Sequence, residues 1–492
     1  MNAVSKSVPE ETDRAPSSRR ALASLSLATL LASLGTSIAN VALPTLARAF
    51  DASFARVQWV VLAYLIAITA LIVGAGRLGD LAGRRRLMLF GLSVFAAASL
   101  ACGVAPSLEW LVAARAAQGA GAAVMTALTL AFVADAVPKE RTGRAMGWLG
   151  TMSAVGTALG PSLGGVLIAS FGWRAIFLAG VPFGMLAFAL AYRHLPRDRA
   201  TPIAERGHFD LKGLLLLALT LAAYALALTA HRGGFGAFNV ALLSAAAAGA
   251  VLFAFVEART ASPLVRLSLL REPRLRAGFA LSATVMTVMM ATLVVGPFYL
   301  SGALALDAAR VGLVMSAGPV VSALSGVPAG RLVDRHGAAR ATIVGLVALA
   351  IGCGALTLLP PAFGVAGYVV PLVVVTAGYA LFQAANNTAV MRDIGAEQRG
   401  VVSGLLNLSR HLGLVTGAAA MGAVFAFAAD ARDGAQASAE AVARGLRVTF
   451  AIATVLVAGA LAIAVRRPWE RRRAVDSSIA ATLAASARRS ER

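Results

Sequence analysis

Fourteen stretches of roughly 20 or more mostly apolar residues dominate the chain, and they leave few folds open to it. About 20 residues of α-helix cross the hydrocarbon core of a bilayer with every backbone hydrogen bond made internally. The first stretch, Ala21 to Leu46, carries no charged side chain and is too long for the apolar core of a cleaved leader, so it is expected to remain as helix 1. Further spans are expected at roughly 57–78, 87–106, 108–135, 144–170 and 174–194, then at 211–230, 238–257, 275–301, 310–330, 340–360, 366–391, 400–428 and 444–466. With 59% hydrophobic and 14% charged residues, the composition excludes a soluble globular domain. The expected fold class is an all-α polytopic membrane protein.

The net charge of +21 could belong to a nucleic-acid binder, but these charges sit in short loops between apolar runs, where positive residues fix orientation. Placing both termini in the cytoplasm assigns 34 lysines and arginines to the inside and 8 to the outside, leaving Arg115 and Arg410 within spans. Neither a cofactor nor a nucleic-acid partner is expected. Cys102 and Cys353 lie inside apolar runs and read as small packing residues, not as a disulfide or metal pair. Gly74, Gly76 and Gly79 spell a dinucleotide-site pattern, yet they end a membrane-length helix instead of following a strand.

Between spans 2 and 3 runs the polar loop Gly76 to Leu89, GRLGDLAGRRRLML. Gly76 and Gly79 permit a tight turn or close helix contact, Gly83 permits positive φ, and Asp80 can partner Arg84, Arg85 or Arg86. A weaker copy, Gly330 to Arg340 with Asp334, follows about 254 residues later. The chain is therefore internally duplicated, with halves beginning at spans 1 and 9. This divides it into a disordered cytoplasmic tail (1–20), a six-helix bundle (21–194), inserted helices 7 and 8 with a linker (195–274), a second six-helix bundle (275–466) and a basic tail (467–492). Ser262 to Arg276 alternates basic and apolar residues, as does an amphipathic segment lying on an anionic surface.

The G-x-L-x-D-x-x-G-R-R pattern resembles the loop signature of the major facilitator superfamily of transporters. In span 5, Gly147, Gly156, Gly160, Pro161, Gly164 and Gly165 form a string similar to the antiporter signature of exporters in that superfamily, echoed by Gly404, Gly413 and Gly417. Gly156, Gly160 and Gly164 share one helix face that can pack backbone to backbone, and Pro161 marks a bend. LGTSIANVALP (34–44), QWVVLAY (58–64) and FGWRAIF (171–177) resemble the fourteen-helix drug:proton antiporter branch. That resemblance implies alternating access between two bundles in a bacterial-type inner membrane. It implies proton-linked efflux of lipophilic or cationic compounds by a monomer, with a small-molecule substrate, protons and membrane lipids as partners and no enzymatic activity. The alternative is a uniporter or symporter of one metabolite.

An intramembrane charge costs about 2.5–3.5 kcal/mol on insertion scales, so Arg115 and Arg410 should face a wet cavity or a partner. Arg115 with Gln118 and Gly119 matches the family's R-x-x-Q-G pattern, associated there with proton transfer or substrate response. Candidates for a proton link are Arg115, Glu109, Asp135 and His411. Asn40, Tyr64, Gln118, Gln383, Asn386, Asn387, Asn407 and Arg410 are candidates to line a cavity, since unsatisfied amides avoid lipid, with Met286 and Tyr299 on an adaptable apolar wall. The chain departs from the branch at Gly35, where an aspartate is normal, and at Gly180, where an asparagine is. No acidic residue is expected at mid-membrane.

The charge split predicts that single cysteines introduced as Ser5→Cys and Ala435→Cys, in a background lacking Cys102 and Cys353, will respectively resist and accept an impermeant external thiol reagent. Labelling of the Ser5 position in intact cells would reverse the topology.

Overall fold

The computed structural model describes residues 14–136, 139–198, 210–230, 236–260, 267–358, 361–392, 394–395, 399–429 and 437–466. Among these, fourteen helices are long and apolar enough to cross a membrane. The first six are α1 (Arg14–Ala49), α2 (Trp59–Ala82), α3 (Arg84–Gly103), α4 (Leu108–Ala136), α5 (Lys139–Phe171) and α6 (Gly180–His194). Then come α7 (Leu211–Thr229), α8 (Ala237–Arg259), α9 (Pro273–Gly302), α10 (Ala308–His336), α11 (Ala338–Leu358) and α12 (Gly364–Met391). Helix α13 (Arg399–Thr416) runs through a π-helical turn, Gly417–Met421, into Gly422–Ala428, and α14 (Ala439–Val465) closes the series.

Packing repeats across the two halves. Helix α1 lies on α5 as α9 lies on α13, and α2 and α3 both meet α4 as α10 and α11 both meet α12. The inserted helices α7 and α8 pack on each other, and α7 rests against α2, where Trp59 Nε1 donates to Thr229 Oγ1 at 3.0 Å.

The sequence expectation needs adjustment at three places. Helix α1 begins at Arg14, so the end of the expected disordered tail is helical; residues 1–13 and the basic tail, 467–492, lie outside the described residues. Of the expected amphipathic segment, 261–266 also lies outside them, Leu267–Arg271 forms a short 3-10 turn, and Pro273 starts α9. Arg274 therefore belongs to a span, where it donates to the Ala389 and Arg392 carbonyls of α12. The polar loop is a corner between two helices rather than a hairpin: only Gly83 breaks the helix, at φ 98°, as Gly337 does at 81° in the second copy. Close contact falls to Gly79, where a Cβ would sit 2.5 Å from Leu128, while Gly76 and Gly330 face open space.

Lipid tails offer helices no hydrophobic reason to associate, so packing contacts must hold the halves together. Helix α5 supplies them on two sides. A Cβ at Gly160 would stand 1.9 Å from Ser37 Oγ, one at Gly156 2.5 Å from the Leu30 carbonyl and one at Gly164 2.8 Å from Val41, all on α1. Across the halves, a Cβ at Gly165 would lie 2.5 Å from the Ala308 carbonyl, and one at Gly312 would lie 2.3 Å from the Pro161 carbonyl. In the second copy, Gly413 and Gly417 approach α9 as closely, whereas Gly404 faces open space.

The same end of the molecule is sealed by Phe54 against Phe298 and Phe425, with ring centroids 4.7 and 5.2 Å apart. Toward the Gly76–Leu89 end the halves diverge. Along α10, Gly312 packs on α5 at the aromatic end, whereas a Cβ at Gly326 or Gly330, and at Gly150 of α5, would meet open space. The closest contacts between the halves thus gather at the aromatic end, away from the polar corners.

Candidate functional site

Arg115 is completely buried, and four helices converge on it. Its Nε donates to the Val60 carbonyl of α2 at 2.9 Å, Nη2 to the Gly35 carbonyl of α1 at 3.0 Å and Nη1 to Gln118 Oε1 at 2.5 Å. The Tyr64 ring lies 4.2 Å from its guanidinium carbon and the Phe177 ring 5.9 Å. Gln118 passes the chain on, donating to Ser99 Oγ at 2.7 Å, and Ser99 donates to the Phe95 carbonyl of α3. Tyr64 donates to the Ala32 carbonyl at 2.8 Å. Charge-assisted hydrogen bonds and a desolvated cation–π contact, each worth about 1.5–3 kcal/mol, offset the insertion penalty without a carboxylate.

Both departures from the branch pattern face this chain of contacts. A Cβ at Gly35 would begin 3.1 Å from the Tyr64 hydroxyl, and one at Gly180 3.2 Å from Ser99 Oγ. Glu109, expected near Arg115, pairs instead with Arg56 at 2.5 Å, both side chains more than half exposed. An exposed pair of this kind contributes little to stability. Asp135 is in α4 and Asp80 in α2, but their side chains lie outside the described residues. Asp198, beyond α6, accepts from the backbone N–H of Arg85 at 2.7 Å and of Arg86 at 3.1 Å. Asp334 is exposed at the end of α10.

Arg410 forms the second polar group. It is half-buried, donating through Nη1 to Asn407 Oδ1 at 3.3 Å and through Nη2 to Asn387 Oδ1 of α12. Gln383 and Asn387 are four residues apart on one face of α12, and both are half-buried. Nδ1 of the neighbouring His411 is buried with no hydrogen-bond partner. Half-buried polar groups within spans need polar partners or water in place of lipid.

The remaining cavity candidates turn inward. Tyr64 and Gln118 are spent on the Arg115 contacts. Asn40 is buried and donates within its own helix to the Thr36 carbonyl at 2.9 Å, and Asn386 ties α12 to α9 through the Gly278 carbonyl at 3.1 Å. Tyr299 packs on Tyr368, with centroids 5.8 Å apart, and Met286 lies under Gly413 at the α9–α13 contact. A cavity of about 810 Å³ lies between α2, α4 and the inserted α7, lined by alanines such as Ala67, Ala116 and Ala218. Neither Arg115 nor Arg410 lines it. A second, of about 570 Å³, lies at the sealed end between Arg48, Asp51, Phe298 and Phe425. Ser99 and Asp198 were missed in the sequence because nothing local marks a serine or an aspartate that works across helices.

Two bundles with repeated packing, a glycine-packed α5 and polar groups buried within spans define a membrane transporter. The Major Facilitator Superfamily model matches residues 25–418, and the chain belongs to that family. It is 33% identical over 392 residues to the multidrug resistance protein Stp of Mycobacterium tuberculosis, covering 79% of this chain and 72% of that one. It is 29% identical to the riboflavin transporter RibZ of Clostridioides difficile, covering 80% and 86%. A bacterial homologue of the human lysosomal transporter Spinster, solved inward-facing and unoccupied, shares the fold with a TM-score of 0.68 at 17% identity, covering 92% of this chain and 96% of that one.

The Arg115 contacts predict a structural loss on truncation. Arg115→Met leaves the buried Gln118 Oε1 without its donor, at about 1–3 kcal/mol, and removes the bonds that tie α4 to the Val60 and Gly35 carbonyls, which keep their own helical partners. The melting temperature of the purified protein should fall clearly, with Arg115→Lys intermediate because an ammonium lacks the fork. An unchanged melting temperature in Arg115→Met would show that the contacts do not hold the bundle.

Proposed function

We propose that this transporter exports lipophilic small molecules by alternating access, driven by a gradient, with its polar corners and both termini in the cytoplasm. The observation that carries this reading is that the close contacts between the halves, α5 on α10 and Phe54 on Phe298 and Phe425, gather at one end, so that the other is read as the open one, with Arg410 half-buried within a span. The 34 to 8 charge split supports placing the open end inside. The resemblance of the α5 glycines to the antiporter signature, and the likeness to Stp, support export.

The cationic part of the expected substrate class fares less well, because a buried cation favours anions nearby and Gly35 supplies no carboxylate beside it. Proton linkage in this reading falls on His411, whose ring nitrogen has no partner, or on Asp135, and not on helix α1. The second reading, uniport or symport of one metabolite, draws its support from the likeness to RibZ.

Counterflow in proteoliposomes, with and without an imposed pH gradient, separates the two. Export of a lipophilic dye should occur, and the gradient should change the rate for a cationic dye by less than about twofold, the effect of a coupling term under ~0.5 kcal/mol. Gly35→Asp, which restores a carboxylate beside Arg115 and Tyr64, should gain gradient-dependent export of that cation. Strict dependence of the unmodified protein on the pH gradient, retained in His411→Ala, would contradict this account of coupling.

A further inference from the structure

We infer that Arg410, Asn387 and Asn407 form a recognition site for an organic anion, a carboxylate or sulfonate on an apolar body. The inference rests on the transport reading above and assigns its substrate class. An arginine has donors and no acceptor, so it fixes the orientation of both amides: each turns its Oδ1 toward the guanidinium. Each NH2 group is thereby turned outward. The three side chains together then present only donors, namely two amide NH2 groups and the guanidinium N–H groups not engaged by the amides.

No competing acid stands nearby among the described residues. In the second bundle, described carboxylates occur within helices only at Asp334, at the end of α10, and at Glu440, in the first turn of α14, and both are exposed. Arg410 is instead held by two neutral oxygens, so its charge is directed but not neutralised. It is also half-exposed, unlike Arg115, which spends its donors on backbone carbonyls and is completely buried. A planar fork of donors matches a planar or tetrahedral oxyanion, which can take two N–H groups at once. Tyr379, four residues before Gln383 on the same face of α12, offers an aromatic surface to the ligand's apolar body. A cation set against Arg410, Asn387 and Asn407 meets only donors and a like charge, so these three side chains disfavour it.

The test uses the full-length purified protein and three probes sharing one ring system: naphthalenesulfonate, naphthalenemethanol and naphthyltrimethylammonium. Binding is measured by calorimetry and transport in proteoliposomes. The sulfonate should bind about tenfold or more tighter than the ammonium compound, and Arg410→Gln should remove that margin while leaving the alcohol unaffected. Asn387→Asp keeps the arginine but sets a carboxylate on it, and should abolish sulfonate preference in the same way; it decides the matter if Arg410→Gln does not fold. Equal binding of sulfonate and ammonium probes, or a loss in Arg410→Gln shared by all three, overturns the site. Anion binding as described with no probe transported overturns the transport reading and leaves the site standing. Transport of the alcohol without sulfonate binding does the reverse, and neither binding nor transport rejects both.

Discussion

Helix α5 touches α1 on one side and α10 on the other, backbone against backbone, and the two-halved architecture depends on that double contact. In a bilayer, helices gain nothing from hiding apolar surface from one another, so attraction must come from close packing. Gly156, Gly160 and Gly164 permit it within the first half, and Gly165 meeting Gly312 permits it between halves. The second copy repeats the inner contact through Gly413 and Gly417 against α9. One helix therefore packs closely on both halves, and rocking of one half against the other requires the contact with the second to part.

The two intramembrane arginines divide the polar work. Arg115 joins α1, α2 and α4 directly, and α3 through Gln118 and Ser99, which makes the first bundle a rigid body around a fixed positive charge. Gly35 and Gly180, the two places where the chain lacks the polar residues of the branch it resembles, abut this same set of contacts. An acid and an amide are thus missing together from one neighbourhood, which is a coherent change rather than two scattered ones. Arg410 keeps its exposure and its unspent donors, and so is the arginine free to meet a ligand.

Much of the fold was legible because a bilayer translates span length directly into topology. Fourteen runs gave fourteen helices, and the repeated polar corners marked the duplication. The site was less legible for a physical reason: in spans apolar on every face, hydropathy does not say which face looks inward. Tyr64 and Gln118 were expected at a cavity and are buried on Arg115, while Asn387 and Asn407 retain the half-exposure expected of cavity residues. Long-range pairing was hidden too. Nothing around Gly83 signals that Asp198, more than a hundred residues away, accepts from the backbone N–H groups that open α3. Basic and apolar residues alternating before α9 suggested a surface segment, yet Arg274 is drawn into a helix by carbonyls of α12.

The central claim is that the halves move as rigid bodies about the α5–α10 contact, and paired spin-label distances test it most directly. One pair, at Gly150 and Leu324, reports the open end; the other, at Ser170 and Arg310, reports the sealed end. On adding a transported substrate, the account predicts that the first distance shortens as the second lengthens, while a control pair within the first bundle, at Phe90 and Trp110, stays fixed. Distances at the two ends that change in the same direction, or a control pair that changes as much as either, would contradict it.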